Sequence, residues 1–420
     1  MNKLLIILPI LFLFFSCDSW IDVKPENQVT YTNYFETEKD VEGAALQMLA
    51  AECAYIGCEG DYLKWLGILA DEWSDTYNGP RLGRVSDLAS GWGDKSWKNS
   101  YDIVFLANTI LENAPRADMP KDRLNFWIGQ ASFAKGLAYF EIARLFGDAV
   151  ITRNSTSLEK YGRKPMLEVI DTAIVNAVRA FNLLPVFEEL KDLSGAAITS
   201  KQYACKGAAA ALLAHLYAWR GSVTELYGLE GVAPADYRKS IDYCTLILDK
   251  KAGFYEMQPD PETLCLAMSK MGGYNKESIF ELELNPSETY AQTVRVLGAF
   301  LTGYPVDVNA TLTSQRTKSF RLRWSTVQQM YETKDKRVDA YFYTDDEILN
   351  NLQTYPYIYL RKWREGIYFM SSSGSMATRM TGLRANQVQW RVADIYLLRA
   401  ECRAKLEITG AEDDLNEVRG

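Results

Sequence analysis

Hydrophobic residues recur along much of the chain at the spacing of an amphipathic helix. One such pattern runs over residues 38–55, with Thr37 at the N-cap position, and another runs over residues 97–112 and ends before Pro115. Apolar side chains three and four residues apart fall on one face of a helix, which can then be buried. The pattern predicts two amphipathic helices here.

A recurring pair of helical patterns fills the middle and the end of the chain. The first member of each pair is rich in Ala and Leu, carries an aromatic residue on its apolar face and reaches a glycine that is expected to end it, namely Gly147, Gly221 or Gly410. The first members cover residues 131–148, 206–222 and 392–410, and their partners cover residues 165–184, 236–249 and 412–420. Small residues let paired helices approach closely, so we expect tetratricopeptide-like helical hairpins in a superhelix. An unrelated all-helical packing stays open as the alternative.

Between these pairs the helical pattern is weak. Over residues 253–389 it persists only at 325–332, while alternating apolar and polar residues at 278–285 and 357–363 predict short strands. The expected fold class is mainly α, with a loop-rich region that carries a few short strands. The helical repeats are placed at residues 120–250 and 388–420, and the loop-rich parts at residues 60–97 and 253–387.

The start of the chain resembles a bacterial lipoprotein signal. Lys3 is followed by twelve apolar residues, fewer than the roughly 20 that a membrane-spanning helix needs, and then by Ser16 and Cys17. In that class the cysteine is acylated and anchors the mature protein. We expect a signal at residues 1–16, a tether at 17–36 and a single helical domain at 37–420. An ordinary signal with a chance cysteine is the alternative.

Composition excludes several classes of function. The 420 residues include 46 Lys and Arg against 54 Asp and Glu, a formal net charge of −8, and no basic run offers a nucleic acid a binding face. The chain has one histidine and no CxxC pair, so no metal site and no cofactor are expected. His215 lies in an apolar helical pattern and is interpreted as a core or half-buried residue. Cys53 and Cys58 are the pair close enough in sequence to suggest a disulfide; buried thiols are expected for the others.

Several stretches, taken in order, resemble the SusD/RagB outer-membrane lipoproteins of Bacteroidetes. After Cys17 the resemblance continues through WKNSYDIVFLANTIL, QASFAKGLAYFEIARLFGD, ESIFELEL and WRVADIYLLRAECRAKLEITGAEDDLNEVRG. The last stretch is similar to the family's Arg-x-Ala-Asp helix and the Asn-x-x-Arg helix after it. Ala149 and Val150 stand where the family usually has a proline. Family members continue past the position of Gly420, so the sequence is expected to be a fragment or to have lost its C-terminal part.

The resemblance implies a lipid-anchored protein on the outer face of the outer membrane that captures a nutrient without catalysis. In this family the nutrient is most often an oligosaccharide, which is delivered to a SusC-type TonB-dependent transporter. RagB-like members take peptides instead, so a peptide ligand stays open. The resemblance also implies that the helical repeats face the transporter, while loops on the opposite side hold the ligand.

The residues expected to contact a sugar combine aromatic rings with planar polar groups. Sugars offer flat CH faces that stack on rings and hydroxyls that bond to amides and guanidinium groups. The loop at residues 71–97 has this mixture, and the resemblance places ligand contacts in the corresponding loop. The candidates there are Trp73, Tyr77, Asn78, Arg81 and Trp92. Tyr290 and Tyr304 follow the predicted strand at 278–285, where the family also contributes contacts. Each candidate has packing of its loop on the core as the alternative role.

Two other functions stay open at this point. Asp71, Glu72 and Asp75 lie among aromatic residues, and two carboxylates suffice for glycoside hydrolysis. They crowd into one loop, however, whereas catalytic carboxylates usually come from separate elements. A protein-interaction scaffold is the other alternative, although its loops would be expected to be short.

Carboxylates on the last helices are interpreted as structural. Asp394 and Glu401 are expected to pair with Arg391 or Arg399 on the same helix. By the same reasoning, Asp335 is expected to pair with Arg337.

Overall fold

The computed structural model describes residues 34–54, 97–157, 159–228, 232–269, 275–283, 304–308, 310–311, 322–354, 356–369, 379–383 and 385–419. Within these ranges the chain is mainly helical with short antiparallel strand pairs, which confirms the predicted fold class. The helices are α1 (Glu38–Glu52), α2 (Trp97–Asn113), α3 (Lys121–Phe146), α4 (Met166–Leu183), α5 (Lys206–Leu226), α6 (Ala233–Leu248), α7 (Pro261–Met268), α8 (Trp324–Met330), α9 (Lys336–Tyr341), α10 (Asp346–Asn351), α11 (Val392–Lys405) and α12 (Ala411–Arg419).

The strands form separate two-stranded sheets. They are β1 (Ala149–Val150), β2 (Arg163–Lys164), β3 (Ser278–Leu282), β4 (Leu322–Arg323), β5 (Tyr357–Ile358), β6 (Gly366–Phe369), β7 (Arg379–Leu383) and β8 (Gln387–Arg391). The pairs are β1 with β2, β3 with β8, β4 with β5 and β6 with β7. In the second pair Phe280 stands opposite Trp390, so β8 brings an aromatic residue beside β3 just before α11 begins.

The first two helices begin where the sequence predicts, and α1 ends at Glu52, before the predicted end at residue 55. The backbone N–H and the hydroxyl of Thr37 both donate to Asp40 Oδ2, at 2.8 and 2.7 Å, and these bonds lower the pKa of that carboxyl. Thr37 is therefore the N-cap of α1. Helix α2 passes into a 3-10 turn at Ala114–Arg116, where Pro115 cannot continue the α-helical bonding.

The predicted hairpins are present and form one continuous stack. Helix α3 packs on α4, α5 on α6 and α11 on α12, and the hairpins meet through the α4–α5 and α6–α11 contacts. Helices α1 and α2 pack at the α3 end. We call α1–α6, α11 and α12 the helical stack. Helices α6 and α11 pack together although the whole loop-rich region lies between them in the sequence. Their contact keeps the stack continuous, as a tetratricopeptide-like superhelix requires.

Two of the three predicted glycine stops are wrong. Gly147 does end α3, with a φ of 69°. Gly221 instead lies inside α5, where an added Cβ would stand 2.9 Å from the ring of Tyr237 on α6. Helix α11 ends at Lys405, and Gly410, with a φ of 92°, directly precedes α12. Gly221 is needed for close helix packing and Gly410 for the turn between two helices, so the same residue type serves different purposes.

The helical stack and the loop-rich region have separate cores. A single large cluster runs through the stack and includes β3 and β8; its largest fully buried side chains include Trp127, Tyr139, Phe133, Phe280 and Met48. A much smaller cluster in the loop-rich region consists of Val327, Phe342, Ile348, Ile358 and Tyr359. This part of the loop-rich region is therefore stabilised by its own local packing, separately from the core of the stack.

The sequence analysis missed three short helices in the loop-rich region: α7, α9 and α10. Asp260 caps α7 by accepting from the N–H of Thr263 at 2.7 Å, and Asp335 caps α9 by accepting from the N–H of Arg337 at 2.9 Å. Helices this short show no clear apolar period. The Asp-Pro-Glu run at residues 260–262 was the available signal, because aspartate followed by proline is typical of a helix start.

The described cysteines are buried. Cys205, Cys244, Cys265 and Cys402 carry free thiols, as predicted. The Sγ of Cys53 donates to the carbonyl of Glu283 at 3.4 Å. Cys58 lies outside the described residues, so a bridge to Cys53 stays a prediction.

Candidate functional site

Most of the predicted ligand contacts lie outside the described residues. These are Trp73, Tyr77, Asn78, Arg81, Trp92 and Tyr290. The predicted acylation site Cys17 and the carboxylates Asp71, Glu72 and Asp75 lie outside them as well. Their roles stay predictions. The structure does describe Tyr304 and the two places where the chain leaves the fold toward the other candidates.

Tyr304 is half-buried at the edge of the small cluster in the loop-rich region. Its ring meets Tyr359 edge-on, with ring centres 5.8 Å apart, and its hydroxyl lies 3.5 Å from the exposed carboxylate of Glu347. That distance is at the limit of a hydrogen bond. The ring therefore packs within this cluster, while the hydroxyl lies beside an exposed carboxylate, and a ligand role for Tyr304 stays a prediction.

The ends of α1 and β3 meet at a junction formed by Leu49, Cys53, Gln202 and Glu283. The side chain of Gln202 donates to the carbonyl of Leu49 at 3.1 Å and accepts from the N–H of Glu283 at 3.2 Å. The Cys53–Glu283 bond joins the same two ends directly. Residues 55–96 follow one end and residues 284–303 follow the other. The described residues next to these two segments, which carry predicted ligand residues, therefore lie together at the junction.

A buried carboxyl group lies beside this junction, in the last turn of α1. Glu52 is 1% exposed, and neither of its carboxyl oxygens has a hydrogen-bond partner among the described residues. Burial raises its pKa to about 8, so the group is protonated at neutral pH. Burial also raises the pKa of Glu283. Glu52 therefore adds no negative charge beside the junction at neutral pH.

The Arg-x-Ala-Asp stretch fastens the β3–β8 sheet to the helical stack. Arg391, at the end of β8, pairs with the buried carboxylate of Glu277, just before β3. Asp394 in α11 accepts a hydrogen bond from His215 Nε2 of α5 at 2.8 Å. The imidazole also stacks on Trp390, with ring centres 5.7 Å apart. His215 is therefore a partnered, half-buried residue, as predicted, and this cluster has a structural role.

The predicted partners of the last-helix carboxylates are wrong. Asp394 pairs with His215 instead of Arg391 or Arg399. Arg399 makes two bonds to Asp414 of α12, at 2.6 and 2.9 Å. The prediction assumed partners on the same helix. Tertiary packing instead places side chains of other elements next to Asp394 and Arg399, and these charged groups pair across elements. The Asp335–Arg337 pair is confirmed, with Arg337 Nε 2.9 Å from Asp335 Oδ1.

A second ion pair fastens α7 within the loop-rich region. Both terminal nitrogens of Arg364 donate to the carboxylate of Glu262, each at 2.6 Å, and Arg361 reaches the same carboxylate at 3.3 Å. These bonds lower the pKa of Glu262. The segment after β5 is therefore held against α7 by a bidentate contact.

Neither a metal centre nor a membrane-crossing helix is found in the part of the chain that the structure describes. No group of three or more His, Cys, Asp or Glu side chains there is placed to hold a metal ion. No described helix is both long and apolar enough to span a bilayer.

Sequence comparison relates this geometry to known proteins. A SusD-like family model, described as starch-binding and associating with the outer membrane, matches residues 74–218, from the predicted ligand loop into α5. SusD-like protein P2 of Formosa agariphila is 22% identical over 338 residues, a match that covers 75% of this chain and 59% of the relative. The chain is therefore similar to SusD-like proteins over the residues that these two matches cover. The match spans less than two thirds of that relative's length.

Solved structures share the fold of this chain. A SusD homologue from Bacteroides thetaiotaomicron superposes with a TM-score of 0.70 at 19% identity, covering 92% of this chain and 81% of its own. A laminarin-binding SusD-like protein gives 0.67 at 15% identity, with 92% and 84% covered. The surface glycan-binding protein A of Bacteroides fluxus gives 0.67 at 15% identity, with 91% and 81% covered.

The sequence analysis missed the contacts that hold the junction, the β3–β8 sheet and α7 in place. Glu277, Gln202 and Glu262 had not been singled out, although each joins elements distant in sequence. The Arg-x-Ala-Asp pattern did mark Arg391 and Asp394, but it gives no information about the partners of those residues. Such partners become visible only when β3, β8 and the helical stack are in place.

Proposed function

We propose that this SusD-like protein binds an oligosaccharide at the cell surface and passes it to a SusC-type TonB-dependent transporter. The observation that carries the proposal is the likeness of its helical stack and attached sheet to solved relatives, among them a laminarin-binding SusD-like protein and a structure with a xylogluco-oligosaccharide. The junction supports it, because one rigid base would direct both aromatic ligand segments. Binding without catalysis is the activity we infer.

Calorimetry tests this function. The mature chain without its lipid, residues 18–420, would be titrated with a panel of oligosaccharides and peptides, and each mixture would then be checked for reaction products. We expect saturable binding of an oligosaccharide and no products. Binding of peptides alone would instead support a RagB-like uptake role. Products would overturn the inference of binding without catalysis and direct attention to Asp71 and Glu72.

The predicted ligand residues can be tested within the same experiment. We expect Trp73→Ala and Trp92→Ala each to weaken oligosaccharide binding by at least about tenfold, because each would remove a ring that stacks on a sugar face. Trp219→Ala is the matched control, since Trp219 is 37% exposed on α5, outside the loop-rich region. Unchanged affinity together with a lowered melting temperature would instead assign Trp73 and Trp92 to packing.

Membrane anchoring and transporter delivery form a separate part of the proposal. The signal pattern supports acylation of Cys17, which mass spectrometry of the mature N-terminus would detect as an added lipid mass. An unmodified residue there would contradict it. Delivery to a transporter would be tested by isolating the lipidated protein from outer membranes and asking whether a TonB-dependent transporter is recovered with it, with Cys17→Ala as the control.

A further inference from the structure

Among the described residues, two lysines each have their ammonium group close to two aromatic rings. Lys201, in the loop before α5, lies 5.3 Å from the ring centres of both Phe187 and Tyr255. Its Nζ also donates to the carbonyl of Asn275 at 2.7 Å and to that of Ser278. Lys201 is a structural residue, because these bonds tie its loop to the start of β3 and compensate for burial of the charge.

Lys362 has a similar aromatic environment without those bonds. Its Nζ lies 5.4 Å from the ring centre of Tyr341 on α9 and 5.5 Å from that of Trp363. Among the described residues, no carboxylate or carbonyl oxygen accepts a bond from this ammonium. The side chain is half-buried.

Burial and a neighbouring guanidinium both disfavour the charged form of Lys362. Burial lowers its pKa, the thiol of Cys265 acts in the opposite direction, and Arg391 lowers the pKa further. The charge of Arg391 is already matched by Glu277. A partly desolvated ammonium with no anion beside it is unfavourable for folding, and an incoming carboxylate would remove that penalty.

We propose that Lys362, Tyr341 and Trp363 form a subsite for the carboxylate of a uronic acid unit in the bound glycan. This inference rests on the proposed oligosaccharide function and narrows it to acidic glycans. The ammonium pairs with the carboxylate, while the rings of Tyr341 and Trp363 pack against the CH face of the sugar that carries it. Because the chain as a whole has a net charge of −8, a local cation is needed to favour an acidic ligand.

The test compares acidic sugars with their neutral counterparts. Trigalacturonate and trimannuronate would be titrated into wild-type protein and the Lys362→Met variant, with galactotriose and mannotriose as neutral ligands. Methionine keeps the length of the side chain and removes its charge. Lys336→Met is the control, because Lys336 is an exposed lysine in the same region and its loss changes the net charge equally.

We expect Lys362→Met to weaken binding of an acidic trisaccharide by at least about tenfold, with neutral ligands unaffected. Its melting temperature should stay the same or rise, because the variant removes an uncompensated buried charge. The control should bind as wild type does.

Three results would overturn the subsite. One is wild-type affinity of Lys362→Met for the acidic sugars. Another is a lower melting temperature with acidic and neutral ligands weakened alike, which would make Lys362 a structural residue like Lys201. The third is displacement of the acidic sugars by an equal concentration of inorganic sulfate, which would indicate a general anion site. If neutral sugars bind and acidic ones do not, only the subsite fails; if no sugar binds, the proposed function fails as well.

Discussion

The helical stack and the loop-rich region are stabilised in different ways. The stack buries one continuous core in which the fully buried residues range from Ala209 to Trp127. The loop-rich region relies on small clusters, short capped helices and ion pairs such as Glu262–Arg364. A continuous core couples many elements, so a disruptive substitution in it destabilises the whole stack. Small clusters order their own neighbourhood, which leaves their surfaces free to differ between relatives.

This contrast suggests why ligand residues are predicted in one region and not the other. Loops positioned by a rigid base can vary in sequence while the base stays intact. The junction of α1 and β3 belongs to the base, because both elements contribute to the core of the stack. The following predictions test the contrast, beginning with the largest expected effect.

The largest effect is expected from opening a cavity in the stack's core. Phe133→Ala should lower the free energy of unfolding by about 3–5 kcal/mol, since the ring is 2% exposed and packs edge-on against Phe280. The matched variant, Phe342→Ala in the small cluster, should mainly increase hydrogen exchange over residues 322–360. Chemical denaturation and hydrogen exchange measure the two outcomes. A shared loss of global stability would show that the regions unfold as one unit.

The next effect concerns pH and the buried carboxyl of Glu52. Its pKa is raised from 4.5 to about 8 in the folded protein, so the stabilising protonated form is fully present below 4.5 and is lost as the pH rises through 8. The unfolding free energy of wild type should therefore fall, relative to that of Glu52→Gln, by about 2–4 kcal/mol between about pH 5 and pH 8. Chemical denaturation at both pH values measures this difference. The exposed Glu159→Gln serves as control, and a pH dependence that is the same in wild type and Glu52→Gln would contradict the prediction.

Ion pairs in the two regions should differ in their contribution to the free energy of unfolding. The carboxylate of Asp414 is 4% exposed and holds both Arg399 and Arg403, so Asp414→Asn should cost about 2–3 kcal/mol. The carboxylate of Glu262 is 42% exposed, so Glu262→Gln should cost less than about 1 kcal/mol. Thermal unfolding of both variants gives the comparison. Equal losses would mean that exposure does not decide the strength of these pairs.

The smallest effect tests the close approach of helices within the stack. An added Cβ at Gly136 would stand 3.1 Å from the carbonyl oxygen of Ala173 on α4, so Gly136→Ala should cost about 1–2 kcal/mol. Gly162 has nothing within 4 Å of such a Cβ, and Gly162→Ala should change stability by less than about 0.5 kcal/mol. Denaturant titration measures both. A neutral Gly136→Ala would show that α3 and α4 can separate without cost.

Local sequence signals predicted the elements of the stack well and their contacts poorly. Thr37, the helix at Trp97–Asn113 and the paired patterns are properties of neighbouring residues, and each was found. Gly221 looked like a stop because a glycine ends many helices, yet the ring of Tyr237 on α6 determines its role. The short helices of the loop-rich region were missed because six to eight residues do not establish an apolar period.

The sequence by itself determined the fold class, the hairpin repeats and the resemblance to SusD-like proteins, because apolar periodicity, caps and ordered motifs are local. Tertiary structure alone decided which charges became partners. Asp394 bonds to His215, and Arg391 pairs with Glu277. Lys201 donates to carbonyl oxygens, whereas Lys362 has no such acceptor among the described residues. These outcomes depend on which groups are desolvated side by side once the stack and the sheet pack together, and no spacing along the chain encodes that proximity.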